Sequence, residues 1–156
     1  VIIEICMNPN VIRALYDDPF VQDRYADSAY YGWVDAENVF YLAAKEDDQC
    51  LACAMCIIKN MWDIEVHLCI PENMRRRGYE FATLVIDWLY QNSPINRIST
   101  TVVSLFPQVG NFALKLGFEY EGTSKGACFR EGEFLDLHNY GLVRGRPYGR
   151  RRKEGG

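Results

Sequence analysis

The sequence predicts a single α/β domain in which short strands and amphipathic helices alternate. Three observations carry that expectation. Ile64, Val66, Leu68 and Ile70 alternate with Glu65, His67 and Cys69, the period-two pattern of a half-buried strand. Phe81, Leu84, Val85, Trp88 and Leu89 recur at helical spacing and form one apolar stripe suited to packing on a sheet. At 156 residues, without internal repeat or linker, the chain has the length of one domain with a proper core.

Taken in order, Val1 to Ile5 reads as a strand. Asn8-Pro9 starts a helix, Asn8 as cap and Pro9 in the first turn, leading into Val11 to Tyr16. A second short helix starts near Asp18-Pro19 and carries Phe20, Val21 and Tyr25. Ala29 to Trp33 is aromatic and less regular. Val39 to Ala43 is strand-like, Lys45 to Gln49 a polar turn and Leu51 to Ile58 the return strand. After Lys59-Asn60, a third strand runs from Met61 to Ile70 and is closed by Pro71, completing an antiparallel meander. Helix signals begin at the Arg75–Gly78 turn and stop at Ser93-Pro94. Arg97 to Val103 reads as a strand, Val109 to Leu116 as a helix, and Gly117 as its C-terminal cap. Phe118 to Glu121 and Phe134 to Val143 are the last two strands, with a turn-rich segment between them.

Hydrophobic residues make up 49% of the chain and charged ones 24%, an ordinary globular composition. The longest apolar run, Cys53 to Ile58, is strand-sized, so no membrane partner is predicted. No signal peptide is legible. The chain opens inside a strand without Met, a sign of processing or trimming, and a cytoplasmic setting is expected. Residues 144–156 carry Arg144, Arg146, Arg150, Arg151, Arg152 and Lys153 against Glu154, a net charge of +5. The other residues hold 11 basic against 20 acidic groups, a net of −9. Residues 1–143 are therefore read as the domain and 144–156 as a basic, Gly-rich arm. Such an arm suits protein partners or nucleic acid, or else the protein's own acidic body. Nucleic-acid binding as the main function is disfavoured, because phosphate backbones reward positive surface.

Cys50, Cys53 and Cys56 have the C-x-x-C-x-x-C spacing that opens a ferredoxin-type cluster motif, but no fourth Cys follows with a proline after it. On a strand, Cys53 points away from Cys50 and Cys56. Three reduced thiols packed as small hydrophobes are expected, and no metal site.

A strand that ends in a Gly-containing turn and opens a helix presents unpaired backbone N–H groups, a geometry that holds phosphate. Arg75, Arg76 and Arg77 add charge there, before Gly78. Glu65 and His67 share the polar face of the preceding strand and are the candidate bases. His138, on one face with Asp136 and Tyr140, reads as a hydrogen-bonded structural residue.

The Arg75-Arg76-Arg77-Gly78 turn, the Leu116-Gly117-Phe118-Glu119-Tyr120-Glu121-Gly122 segment and the Phe134–Leu142 strand together resemble the GNAT superfamily of N-acetyltransferases, over roughly residues 39 to 143. The resemblance implies a mixed, mostly antiparallel sheet of about six or seven strands with helices on both faces. It implies acetyl-CoA as cofactor and an amine acceptor, either a small molecule or a protein N-terminus or lysine. Backbone N–H groups from Arg76 to Tyr79 would hold pyrophosphate, with Arg75, Arg77 and Gly78 in the same turn. The strand end at Leu68 and Ile70 would pair with pantetheine, and Asn111 is a displaced substitute for the family's cofactor Asn. Glu65 or His67 would act as base, and Tyr30-Tyr31-Gly32-Trp33 would cover the acceptor.

Two positions depart from the family pattern. Glu80 stands where Gly or Ala follows the turn, and Ala113 where many members place a Tyr that protonates the leaving thiolate. The alternative they imply is a catalytically degenerate GNAT scaffold that has lost its cofactor. Ile64-Glu65-Val66-His67 and Gly141-Leu142-Val143-Arg144 also resemble GNAT-like proteins of tailed bacteriophages. In that reading the protein acts in protein–protein assembly, such as virion head or tail morphogenesis.

Overall fold

Two-residue turns decide how the first half of the sheet is drawn. Asp47 and Asp48 both take positive φ, 51° and 62°, so the chain reverses at once and Glu46 pairs directly with Gln49. Asn60 pairs with Asp63 in the same way, and its side-chain oxygen accepts the Trp62 N–H at 2.8 Å. The polar residues expected as turns at Lys45 to Gln49 and at Lys59-Asn60 are thus mostly strand. Asp47-Asp48 and Met61-Trp62 make the turns. Met61 and Trp62, expected at the start of the third strand, thus precede it, and Lys59 is left unpaired at a register shift.

The computed structural model describes residues 1–24 and 32–149. The elements are β1 (Ile2–Cys6), α1 (Pro9–Tyr16), α2 (Pro19–Gln22), β2 (Val39–Glu46), β3 (Gln49–Asn60) and β4 (Asp63–Cys69). A 3₁₀ turn (Glu72–Arg77) then leads into α3 (Gly78–Asn92), β5 (Arg97–Val103), α4 (Pro107–Leu116), β6 (Glu119–Arg130) and β7 (Glu133–Val143). Seven strands form one sheet in the order β1-β2-β3-β4-β5-β7-β6, antiparallel at every junction except β4–β5. The helix starts are those the sequence announces: Asn8 accepts the Asn10 N–H and Asp18 those of Phe20 and Val21.

The alternation of each strand sends its apolar residues to two cores, with helices on both faces of the sheet. Ile12, Tyr16 and Val21 from α1 and α2 pack on Tyr41, Cys53, Met55 and Cys69. On the other face, α3 and α4 cover Leu42, Ala54, Cys56, Val66, Ile98 and Leu142. The α3 stripe is rotated from the expected one. Ala82 and Ile86 are buried beside Phe81, Val85 and Leu89, while Leu84 and Trp88 are only half-buried. Ala82 is small enough to let the helix settle on that side, and Trp88 leans on Phe40 with ring centroids 6.4 Å apart.

Two further expectations need correcting. The stretch from Gly122 to Cys128 is strand, because register shifts at Tyr120/Gly122 and Ser124/Cys128 absorb its glycines as irregularities in β6. Positive φ at Glu131 and Gly132 closes that hairpin. Cys50 does not share a side with Cys56. A shift at Ala44/Lys45 leaves Leu51 unpaired, so Cys50 joins Cys53 on the α1 face. All six cysteines are free thiols. Burial pushes the Cys50 thiol up to about 11 and raises that of Cys56, and a hydrogen bond with Cys69 raises that of Cys53.

The feature that positions the site is a split in the sheet. β4 and β5 pair only at Asp63–Arg97, Ile64–Ile98 and Glu65–Ser99. Beyond them the Thr100 hydroxyl donates to the Val66 carbonyl at 2.8 Å, and the strands then separate while β5 stays paired with β7 to Val103. Before the split, Ser99 donates to Asp63 at 2.7 Å, and Arg97 reaches both Asp63 (3.4 Å) and Glu121 (3.0 Å). Gly141 makes room for this network: a Cβ there would come within 2.5 Å of Arg97 and Glu121.

The first residues after β7 are held against the body. The Arg144 guanidinium donates to the carbonyls of Ile95 (2.7 Å), Tyr90 (3.0 Å) and Ser93 (2.9 Å), closing the end of α3. Tyr148 bonds Asp87, and the Gly149 N–H donates to the Leu116 carbonyl at 2.7 Å. The remaining arm residues, 150–156, lie outside the described residues. Among the described residues no helix is long and apolar enough to cross a membrane.

Candidate functional site

Parting two parallel strands leaves backbone groups without ladder partners and opens a passage between the sheet's faces. A cavity of about 790 Å³ occupies it. Its lining comes from both sides: Phe20, Val21, Val39 and Met55 on the α1–α2 face, and Ala82, Val85, Val109 and Phe112 on the α3–α4 face. Because the Val66 carbonyl points toward β5, alternation aims the Leu68 backbone the same way, into the opening. Leu68 and Ile70 both line the cavity.

His67 lines the cavity too, on the α1–α2 side, and Glu65 stands behind it. The His67 Nε2 to Glu65 Oε2 distance is 2.7 Å, and Lys59 approaches the other carboxylate oxygen at 3.5 Å. The hydrogen bond from His67 holds the Glu65 carboxyl below its ordinary range, against a burial effect that raises it. An ionised carboxylate only accepts, so the proton of this hydrogen bond belongs to His67 Nε2, and Nδ1 lies on the other side of the ring. The two candidate bases are thus a pair with divided roles.

The turn before α3 divides its three arginines. Arg77 bonds Glu46 at 2.8 Å and Glu80 at 2.6 Å, which holds the Glu80 carboxyl low and turns its charge onto a cation. Arg76 is exposed and has no ion pair among the described residues. Arg75 lines the cavity and lays its guanidinium 4.8 Å from the centre of the Phe20 ring on α2. The Gly78 N–H is spent on the Arg75 carbonyl, and no side chain caps the start of α3, which follows directly on the 3₁₀ turn. Gly78 has ordinary helical φ (−55°), and a Cβ there would rest at contact distance, 3.5 Å, from Ile70 and Phe112, so only a longer side chain would intrude between them.

Other sequence candidates sit elsewhere. Tyr79 packs on Phe112 with ring centroids 4.9 Å apart. Asn111 is exposed on α4 and is not among the cavity-lining residues, whereas Ala113 is. Trp33 stacks on Tyr41 at 4.9 Å, and Tyr30 and Tyr31 lie outside the described residues. His138 bonds Thr123 at 2.8 Å on the far hairpin. Among the described residues no cluster of ligating side chains could hold a metal.

Sequence reading missed the cations on the α2 side. Arg24 lies 4.1 Å from the Phe20 ring and 5.2 Å from Phe106, which also takes Arg130 at 5.0 Å. These residues come from α2, the β5–α4 connection and the end of β6. No spacing in the sequence joins them.

No protein-family model matches the chain, and no curated protein matches its sequence. Solved structures do match. Spermidine N-acetyltransferase from Vibrio cholerae, in complex with CoA and spermine, is 12% identical, with a TM-score of 0.76 over 91% of this chain and 94% of that one. A ribosomal-protein-alanine N-acetyltransferase from Brucella melitensis is 16% identical, with a TM-score of 0.70 over 92% and 99%. A probable GNAT-family acetyltransferase from Chromobacterium violaceum is also 16% identical, with a TM-score of 0.73 over 90% and 86%. The seven-stranded split sheet with helices on both faces is the fold these proteins share with the chain.

Proposed function

We propose that this protein is an N-acetyltransferase that moves an acetyl group from acetyl-CoA to an amine. The observation that carries the reading is the passage through the sheet, with the Glu65–His67 pair on one face and the arginine turn at the start of α3 beside it. The α3–α4 side suits the cofactor: Arg76 and the backbone of the Arg76–Tyr79 turn would hold its pyrophosphate, and the Leu68 backbone its pantetheine amides. Arg77 removes the objection that Glu80 raised, since the carboxylate is committed to a guanidinium.

When bound, acetyl-CoA supplies the thioester carbonyl at which an N–C bond replaces the C–S bond. His67 takes the proton that the attacking amine loses, on Nδ1. Glu65 holds the ring in the tautomer that leaves that atom unprotonated, and stabilises the imidazolium that forms. The apolar lining excludes water from the thioester. With Ala113 in place of a phenol, the His67 imidazolium is the group that would return a proton to the departing thiol.

Titration of the full chain with acetyl-CoA by calorimetry tests this. Binding in the micromolar range, about −8 kcal/mol, that is lost in Gly78→Glu supports the cofactor site. Absence of binding by the native chain refutes it and favours the assembly alternative.

A further inference from the structure

The acceptor side of the cavity has the wrong sign for a polyamine. Arg24 and Arg75 both line it, and both guanidiniums rest on the one Phe20 ring, at 4.1 Å and 4.8 Å. The ring's negative faces let two like charges sit together. No Asp or Glu is among the described residues that line the cavity. The neighbouring Asp23, 61% exposed, is shared between Arg24 at 2.9 Å and Arg130 at 3.2 Å, and Arg75 has no ion pair among the described residues. The chain as a whole carries a net charge of −4, so this rim runs against the charge of the protein. The wall beside it is apolar, with Val21, Val34, Val39, Met55 and Ile57.

We infer that the acceptor is an apolar amino acid, an amine that carries a carboxylate beside an apolar side chain. This rests on the acetyl-transfer reading and names the substrate of that site. The carboxylate pairs with the Arg24 and Arg75 guanidiniums, whose planar fork matches it. The side chain lies on the Val and Met wall, and the amine is presented to His67 Nδ1. Arg75, which the family resemblance puts with the cofactor pyrophosphate, serves the other substrate, because its guanidinium is turned to the α2 face.

Calorimetry with the transfer product, in the absence of CoA, separates charge recognition from turnover. N-acetyl-L-phenylalanine should bind the full chain about 10- to 100-fold tighter than N-acetyl-L-phenylalaninamide, the range of one or two charge-assisted hydrogen bonds. Arg24→Gln should shrink that difference about tenfold, leaving the Arg75 share, while the acetyl-CoA titration stays as in the native chain. In the thiol-release assay, L-phenylalanine should exceed both L-phenylalaninamide and spermidine in kcat/KM by a similar factor. Equal binding of acid and amide, binding of neither, or equal losses for both in Arg24→Gln overturns the inference. Preferred acetylation of spermidine overturns it too but leaves acetyl transfer standing. An acid-over-amide preference in a chain that does not bind acetyl-CoA keeps the anion site and refutes acetyl transfer.

Discussion

β4 and β5 behave differently at their two ends. Where they pair, at Asp63 to Glu65, the polar groups spend themselves on one another. Ser99 bonds Asp63, Arg97 joins Asp63 to Glu121, and Gly141 is bare to make room for them. A few residues on, past the Thr100 hydroxyl, the same strands part, and the Leu68 backbone and His67 line the opening, with Arg24 and Arg75 at its rim. The lesson is that one pair of strands serves as clamp and as jaw. The satisfied end fixes the spacing at which the open end can accept a ligand.

Breaking the open end should have the largest effect. His67→Ala should lower kcat by about 10²–10⁴, with only a modest fall in melting temperature from the lost hydrogen bond to Glu65, worth about 1 kcal/mol. A thiol-release assay beside a thermal melt separates the two; native-like turnover would remove His67 from the base role. Breaking the closed end comes next. Arg97→Met leaves Asp63 and Glu121 facing each other without a cation, and should cost about 2–3 kcal/mol in urea unfolding. The lower end of the usual range is expected because Glu121 is partly exposed.

The link between the two ends is open to a pH test. Glu65 has a folded pKa below its unfolded one, so its contribution to stability is present above the ordinary carboxylate range and is lost as pH falls through the lowered value. Native chain and Glu65→Gln should therefore differ more in urea midpoint at neutral pH than at about pH 3. The same substitution should lower kcat by about tenfold and leave acetyl-CoA binding intact. A pH-independent difference would show that the pairing with His67 contributes nothing to stability. The smallest effect is expected at the apex. Thr100→Val keeps the shape and loses one hydrogen bond to Val66, worth about 1 kcal/mol. Its loss should be visible as faster hydrogen exchange confined to β4 and β5.

Much of the fold was legible because local chemistry and tertiary packing agree. Asn8-Pro9 and Asp18-Pro19 announce helices that form, and the Ile64 to Ile70 alternation puts Val66 and Cys69 on opposite cores. Reading failed where tertiary pairing overrode local preference. Gly122, Ser124 and Gly126 are turn formers, yet β7 recruits them into a strand with two irregularities. Cys50 changes face because of one unpaired residue, Leu51, that no periodicity displays. At the site, spacing placed Glu65 beside His67 and the arginine turn at a helix start. It did not show that Arg75 would lie over Phe20 on α2, nor that Arg24, Phe106 and Arg130 would gather there from distant segments. Cation–aromatic contacts between elements leave no periodic trace.

Arg144 fixes how short the protein can be made. Its three bonds close the carbonyls of Tyr90, Ser93 and Ile95, and Gly149 ties the chain to Leu116 a few residues later. Trimming back to the last strand residue, Val143, would strip the end of α3 and unroof the seam beside α4. Trimming after Gly149 keeps both of these ties. An affinity tag or fusion partner therefore belongs beyond Gly149, where a truncation series should show an abrupt gain in soluble, thermally stable protein.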